Sequence, residues 1–243
     1  MKPQNIDLVL VVDSSASMRP CFESLAANLG ELTRPLEEAQ MNVDFGIVIH
    51  SATRRGDKVW YLHRFLRPGA DLPYGPNVAR ADYFTAKAGE IASVLAATVP
   101  KGNEDTLMAL DVAIDLPYRP VASTHRVIAL FSDEKLENGV SGSEPMAAIP
   151  DLLEKMMSRR IQLFVAAPES PALEDLGSMD RAEIEAVNGG DGLKSVDFKK
   201  LLSQTGKSIS IATLQAGPEP DWRKAIFGQD RFLESKVESW TGE

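Results

Sequence analysis

The stretch Asp7-Leu8-Val9-Leu10-Val11-Val12-Asp13-Ser14-Ser15-Ala16-Ser17 decides the fold. Its aliphatic run, residues 8–12, is followed at once by a carboxylate and a cluster of serine hydroxyls. An unbroken aliphatic run predicts a strand that is buried on both faces, as in the interior of a parallel sheet. In open α/β sheets, ligands bind at the carboxyl ends of the strands, so Asp13, Ser15 and Ser17 are candidate binding residues. Oxygen donors at alternate positions are typical of a site for a hard cation.

The rest of the chain alternates between predicted strands and predicted helices. Further strands are predicted at residues 42–51, 59–66, 126–131, 161–167 and 208–214. Helices are predicted after Pro20 up to a kink or end at Pro35, at 82–98, from about 105, up to about 160, and from 195 to a stop at Gly206. This alternation predicts an α/β fold with a doubly wound, mostly parallel sheet of about six strands and helices on both faces.

One strand of this sheet is predicted to be antiparallel. The segment Arg54-Arg55-Gly56-Asp57 would form a hairpin between the strands at 42–51 and 59–66. The second of these strands carries polar residues among its apolar ones, which is typical of an edge strand.

The domain organisation is predicted as one domain over residues 1–217 and a C-terminal helical extension over 218–243 packed on it. Two segments are predicted as insertions. Residues 67–81 are rich in proline and glycine, and residues 169–193 are acidic and rich in glycine, with one short helix near 181–187.

Composition excludes several classes of function. A net charge of −9 argues against binding to the phosphate backbone of a nucleic acid, which needs clustered Lys and Arg. No apolar run approaches the roughly 20 residues of a membrane span, so no membrane association is predicted. The single cysteine, Cys21, excludes an internal disulfide and a thiolate metal cage. Because the first predicted strand leaves no room for a signal peptide before it, we expect a cytoplasmic protein.

Two further segments place polar groups at the same edge of the predicted sheet. Gly102-Asn103-Glu104-Asp105-Thr106 precedes a predicted helix, and Ser132-Asp133 follows the aliphatic strand at 126–131. With the Asp-x-Ser-x-Ser element of residues 13–17, these segments resemble the von Willebrand factor type A domain family, which includes the integrin inserted domains. The resemblance spans nearly the whole chain, and residues 198–206 are similar to the last helix of the family.

The resemblance implies a metal-ion-dependent adhesion site formed by Asp13, Ser15, Ser17, Thr106 and Asp133. In the family, the serines bind the ion directly, and the threonine and aspartates bind it directly or through water. The expected cofactor is Mg²⁺, with Mn²⁺ or Ca²⁺ as alternatives. Because neutral hydroxyls leave such an ion electrophilic, an Asp or Glu of a partner protein could complete its shell.

The function that the resemblance implies is therefore a protein-binding adaptor and not an enzyme. Its partner would be a chaperone-like ATPase or another component of a multi-protein system. The chain departs from the family at Glu134, where glycine is common, and carries additional carboxylates at Glu104 and Asp105. These extra charges could repel an acidic ligand or raise the affinity for metal.

Two alternatives stay open at the level of sequence. A metal-dependent phosphatase or hydrolase could use Asp13 and Asp133, although Ser15 stands where a phospho-aspartate hydrolase needs a second carboxylate. The chain also lacks the glycine-rich phosphate-binding motifs and the G-x-S-x-G element. A structural subunit with an inactive metal site would instead make its contacts through the 169–193 segment or the C-terminal helix.

The three histidines are predicted to have structural roles. His50, His63 and His125 are scattered over predicted strands, and none has the H-E-x-x-H spacing of a zinc site.

Overall fold

The computed structural model describes residues 5–55, 57–74, 78–103, 105–138, 145–187, 193 and 196–216. The predicted C-terminal extension, 218–243, lies outside the described residues. The strands are β1 (Asn5–Asp13), β2 (Asn42–Arg55), β3 (Lys58–Arg64), β4 (Phe84–Thr85), β5 (Thr124–Phe131), β6 (Ile161–Ala167) and β7 (Ala182–Ala186). The helices are α1 (Arg19–Glu38), α2 (Ala88–Ala96), α3 (Thr106–Ile114), α4 (Ile149–Ser158), α5 (Pro171–Gly177) and α6 (Phe198–Ala216).

The described strands form one seven-stranded sheet in the order β3-β2-β1-β5-β6-β7, with the short β4 also paired to β2. Strands β2, β1, β5, β6 and β7 run parallel to one another. Strands β3 and β4 are antiparallel to β2. The structure confirms the predicted α/β class, the doubly wound, Rossmann-like arrangement and the antiparallel hairpin. The sheet has one strand more than predicted.

Strand β1 lies at the centre of the sheet because its aliphatic side chains can be buried on both faces. Leu8 and Leu10 pack in a cluster with residues of α1, α2 and α6. Val9 and Val11 pack on the opposite face with residues of α3, α4 and α5. The helical layers therefore cover both faces of the sheet around β1.

A buried carboxylate occupies the amino end of β1. The side chain of Asp7 accepts hydrogen bonds from Arg80 Nη2 at 2.8 Å and from Arg119 Nε at 2.7 Å. Its other oxygen accepts from the backbone N–H of Arg119 at 2.6 Å. The ion pairs of Asp7 with Arg80 and Arg119 therefore lie at the edge of the sheet opposite the candidate site.

Two predictions for the C-terminal third were wrong. Residues 181–187 do not form a helix, because Ala182–Ala186 is strand β7, which pairs in parallel with β6 at the edge of the sheet. Residues 208–214 do not form a strand, because α6 runs without a break from Phe198 to Ala216. Gly206 lies inside this helix, where it packs against the backbone of α1.

Two helix boundaries in the structure also differ from the predicted ones. Helix α1 continues through Pro35 to Glu38, so the proline does not end it. Helix α2 begins at Ala88 and not near residue 82, because Phe84 and Thr85 pair with β2 instead. No helix among the described residues combines the length and apolarity that crossing a bilayer requires.

Candidate metal centre

The candidate site begins where β1 ends. Asp13 is the last residue of β1, and a short 3₁₀ turn at Ala16–Met18 leads into α1. The backbone N–H of Ser15 donates to Asp13 Oδ1 at 2.9 Å, and Ser15 Oγ donates to Asp13 Oδ2 at 3.1 Å. An aspartate that accepts from the backbone two residues on stabilises a tight turn. This turn holds the carboxylate and the hydroxyl side by side, and both residues are buried.

Ser17 connects this turn to the neighbouring strand. The hydroxyl oxygens of Ser15 and Ser17 are 2.8 Å apart, and Ser17 Oγ donates to Asp133 Oδ1 at 3.1 Å. Asp133 lies two residues beyond β5, which pairs in parallel with β1. Asp13, Ser15, Ser17 and Asp133 therefore form one continuous row of oxygen ligands at the carboxyl edge of the sheet, each within hydrogen-bonding distance of the next.

The loop after β5 orients the carboxylates at this edge. Ser132 is buried, and its hydroxyl both donates to the Glu134 carbonyl at 3.1 Å and accepts from the Glu134 N–H at 3.2 Å. The carboxylate of Glu134 accepts a hydrogen bond from the Asn138 side chain at 3.2 Å. The Asn138 amide therefore stabilises this additional carboxylate by a hydrogen bond. Glu104, the other extra carboxylate, lies outside the described residues.

The loop before α3 is attached to the same edge. The Lys101 N–H donates to the Ser14 carbonyl at 2.7 Å, and Asn103 exchanges two backbone hydrogen bonds with Ala52. Gly102 has φ +98°, and an added Cβ would lie 2.9 Å from the Ala52 carbonyl oxygen. Glycine adopts this left-handed conformation without strain, so it allows the loop to approach the sheet closely.

Thr106, the first residue of α3, carries an unsatisfied polar atom. The residue is 2% exposed, and its Oγ1 has no hydrogen-bond partner among the described residues. The hydroxyl therefore does not cap the helix. A buried hydroxyl without a partner costs about 1–3 kcal/mol, so this atom is available to a ligand.

The donor set fits a hard divalent cation. The five predicted residues supply two carboxylates and three hydroxyls, all oxygen ligands of the type that Mg²⁺ and Ca²⁺ prefer. The structure brings the side-chain oxygens of Asp13, Ser15, Ser17 and Asp133 within hydrogen-bonding distance of one another in sequence. It places Thr106 at the end of the loop that is bonded to Ser14. No group of three or more His, Cys, Asp or Glu within the described ranges could hold a metal, so any cation here depends on the hydroxyls.

Two histidines lie beside the candidate site, although sequence reasoning did not associate them with it. His50 pairs with Asp13 across β2 and β1, and its carbonyl accepts from the Ser14 N–H at 2.9 Å. Its Nδ1 is 3.2 Å from Nδ1 of His63. Burial, together with the neighbouring His63, lowers the pKa of His50 to about 3, and burial also lowers the pKa of His63. Both rings are therefore neutral at pH 7. The pairing of β2 with β3, and not any sequence motif, brings them together.

Comparison with known proteins supports the fold alone. No protein-family model and no curated protein matches the chain. Proximal thread matrix protein 1 from the mussel byssus is a similar solved structure, with a TM-score of 0.53, 12% identity and coverage of 84% of this chain. The pilus adhesin SpaC from Lactobacillus rhamnosus GG has a TM-score of 0.50, 13% identity and coverage of 86% of this chain. This chain spans 47% of the first protein and 31% of the second.

Proposed function

We propose that this chain is a divalent-metal-dependent protein-binding module of the von Willebrand factor A type. It captures an acidic residue of a partner protein through an Mg²⁺-type ion held by Asp13, Ser15, Ser17, Thr106 and Asp133. The observation that supports this proposal most strongly is the row of closely spaced oxygen ligands from Asp13 to Asp133, together with the Thr106 hydroxyl at the start of α3, which has no hydrogen-bond partner among the described residues.

Burial within the site indicates the side from which a partner approaches. Asp13, Ser15 and Thr106 are buried, whereas Ser17 and Asp133 are only half-buried. A bound ion supplies a positive centre with positions that an incoming carboxylate can take. The three hydroxyls add no negative charge, so they leave that centre attractive to an anion. The partner's Asp or Glu therefore approaches over Ser17 and Asp133.

The partner class that we favour is a component of a multi-protein system, such as a chaperone-like ATPase, that presents an exposed Asp or Glu. We propose binding without turnover, because Ser15 stands where a phospho-aspartate hydrolase needs a second carboxylate.

Partner capture with and without metal tests this function. The immobilised chain is exposed to a lysate of its source cells in Mg²⁺, in chelator, and as the Asp13→Ala variant. Asp175→Asn is the control, because Asp175 is an exposed carboxylate on α5. We expect a protein that is retained in Mg²⁺ by the wild type and the control, and is lost in chelator and with Asp13→Ala. Equal capture under all conditions would rule out a metal-bridged interaction.

A further inference from the structure

A hairpin arm extends beyond the rest of the sheet beside the candidate metal centre. We define the arm as residues 51–55 at the end of β2 and residues 57–62, which lead into and form the start of β3. Strand β1 ends at Asp13, which pairs with His50, whereas β2 continues to Arg55 and β3 returns from Lys58. Five residues of extended strand span about 17 Å, so the arm rises well above the edge where the candidate site lies.

The arm is joined to the loops of the site and not separated from them. Ala52 forms an isolated antiparallel bridge with Asn103, in the loop before α3. The same loop is bonded to Ser14 through the Lys101 N–H. The Asp13–Ser17 turn, this loop and the arm therefore form one continuous surface. The outer edge of β3 has no paired strand among the described residues.

The arm exposes a run of large apolar side chains. Trp60 is 61% exposed, Leu62 is 51% exposed and Tyr61 is 39% exposed. Alternation along the strand places Trp60 and Leu62 on one face and Tyr61 on the other. Exposed apolar residues on an unpaired edge strand favour the addition of another strand. An extended segment at this edge would cover part of the apolar surface.

The charge of the arm indicates the chemistry of that segment. Arg54, Arg55 and Lys58 are exposed, against the single carboxylate Asp57, in a chain whose net charge is −9. Arg55 and Lys58 are direct cross-strand partners, and like charges in this position repel each other. A second copy of the chain would bring further cations to the same place, whereas an acidic segment would relieve the repulsion.

We propose that the hairpin arm binds an extended, acidic segment of the protein partner, adding it as a strand to the outer edge of β3. Acidic side chains of this segment contact Arg55 and Lys58, and apolar ones cover Trp60 and Leu62. Main-chain hydrogen bonds to the strand edge supply affinity, and the side chains supply specificity. The proposal rests on the proposed function for its anchoring carboxylate, but different residues carry it.

A peptide selection tests the arm directly. The probe is a displayed library of 15-residue peptides with one fixed Asp, selected on the immobilised full chain in Mg²⁺. We expect enrichment of peptides with additional acidic and apolar residues. The Arg55→Glu/Lys58→Glu variant should bind the selected peptides at least about tenfold more weakly, because the reversed charges replace electrostatic attraction for the acidic peptide with repulsion. Lys199→Glu/Lys207→Glu, the same charge change on exposed positions of α6, should bind like the wild type.

Tryptophan fluorescence locates the bound peptide. The chain has three tryptophans, so the Trp222→Phe/Trp240→Phe variant retains Trp60 alone. Binding of a selected peptide should shift the emission of Trp60 to shorter wavelength and protect it from iodide quenching. Unchanged emission on saturation would overturn the proposed position.

The remaining outcomes separate the arm from the metal centre. Peptide binding that is lost in chelator and with Asp13→Ala but is indifferent to the arm variant overturns this inference and leaves the proposed function standing. Binding that needs the arm but not metal overturns the proposed function alone. The arm inference also fails if no acidic peptide is enriched. Self-association that the arm variant abolishes would overturn it too, because the occupant would then be a second copy.

Discussion

Among the single residues of the candidate site, Thr106 gives the clearest indication that a ligand binds there. Its hydroxyl is buried without a partner among the described residues, although the chain could have placed valine there at lower cost. The sequence identified the position through its place in the loop before a predicted helix. Only the structure could show that the hydroxyl does not cap the helix and has no hydrogen-bond partner among the described residues.

Thr106→Val should therefore separate stability from metal binding. In chelator, we expect the free energy of unfolding to rise by about 1 kcal/mol, because an unsatisfied buried hydroxyl is removed. In Mg²⁺, the variant should gain less stability than the wild type. Denaturant titrations with and without Mg²⁺ measure both effects.

Thr213→Val is the matched control for this substitution. Thr213 Oγ1 donates to the Ile209 carbonyl at 2.7 Å and lies 2.6 Å from His125 Nδ1, so its loss should cost about 1 kcal/mol at any metal concentration. A Thr106→Val variant that loses stability in chelator as Thr213→Val does would contradict our interpretation of the unpartnered hydroxyl.

His125 predicts a pH dependence of stability. Burial, with a contribution from Arg181, lowers its pKa to about 4 from the ordinary value of 6.5. The unfolded chain therefore binds this proton more readily, and stability falls as the pH drops from about 6.5 towards 4. The contribution of one proton has a slope of about 1.4 kcal/mol per pH unit. Urea titrations of His125→Gln across this range should show a smaller loss than the wild type, and an identical slope would contradict the assignment.

At the scale of elements, the aliphatic strands were predictable and the C-terminal third was not. Strands β1, β5 and β6 each contain a largely apolar run that only a sheet covered on both faces can bury. Strand β7 lies at the edge of the sheet, so it does not need apolar residues on both faces, and it alternates between acidic and apolar residues. In the sequence, this composition is difficult to distinguish from that of a solvent-exposed segment. The isoleucines at 209 and 211 resemble a strand, yet Ile209 is buried and Ile211 is exposed on one continuous helix. Packing between residues that are distant in the sequence therefore determines the secondary structure of both segments.

Gly206 and Gly30 give a matched test of the contact between α1 and α6. An added Cβ at Gly206 would collide with the Leu32 carbonyl oxygen, whereas the same atom at Gly30 would meet nothing within 4 Å. We expect Gly206→Ala to destabilise the fold by about 1–3 kcal/mol through overpacking. Gly30→Ala should stabilise it by up to about 1 kcal/mol through helix propensity. Thermal unfolding of the two variants should show opposite shifts, and a neutral Gly206→Ala would contradict the close approach of the helices.

At the scale of the whole molecule, topology converts three separate sequence segments into one site. The polar residues that follow β1 and β5 could be predicted to meet, because parallel neighbours end at the same edge. The hairpin arm and the paired histidines could not be predicted as parts of that surface. Their positions depend on how far β2 extends beyond β1, and this is a property of strand register and not of any motif.

Metal binding should stabilise the whole fold, because the proposed ligands come from three distant segments. An ion at 100 times its dissociation constant adds about 2.7 kcal/mol. For a chain of this size, this should raise Tm by about 5–10 °C. The arm variant Arg55→Glu/Lys58→Glu should show the same rise, because the arm contributes no proposed ligand. Scanning calorimetry in Mg²⁺ and in chelator measures this rise in Tm. An equal Tm of the wild type under the two conditions would count against a metal site in the folded chain.

Isothermal titration of Mg²⁺ into the metal-free chain tests the central claim most directly. We predict one bound ion per chain for the wild type and for Asp175→Asn, and no measurable binding for Asp13→Ala. The absence of binding to the wild type, or equal binding to the wild type and Asp13→Ala, would contradict a cation site built from Asp13, Ser15, Ser17, Thr106 and Asp133.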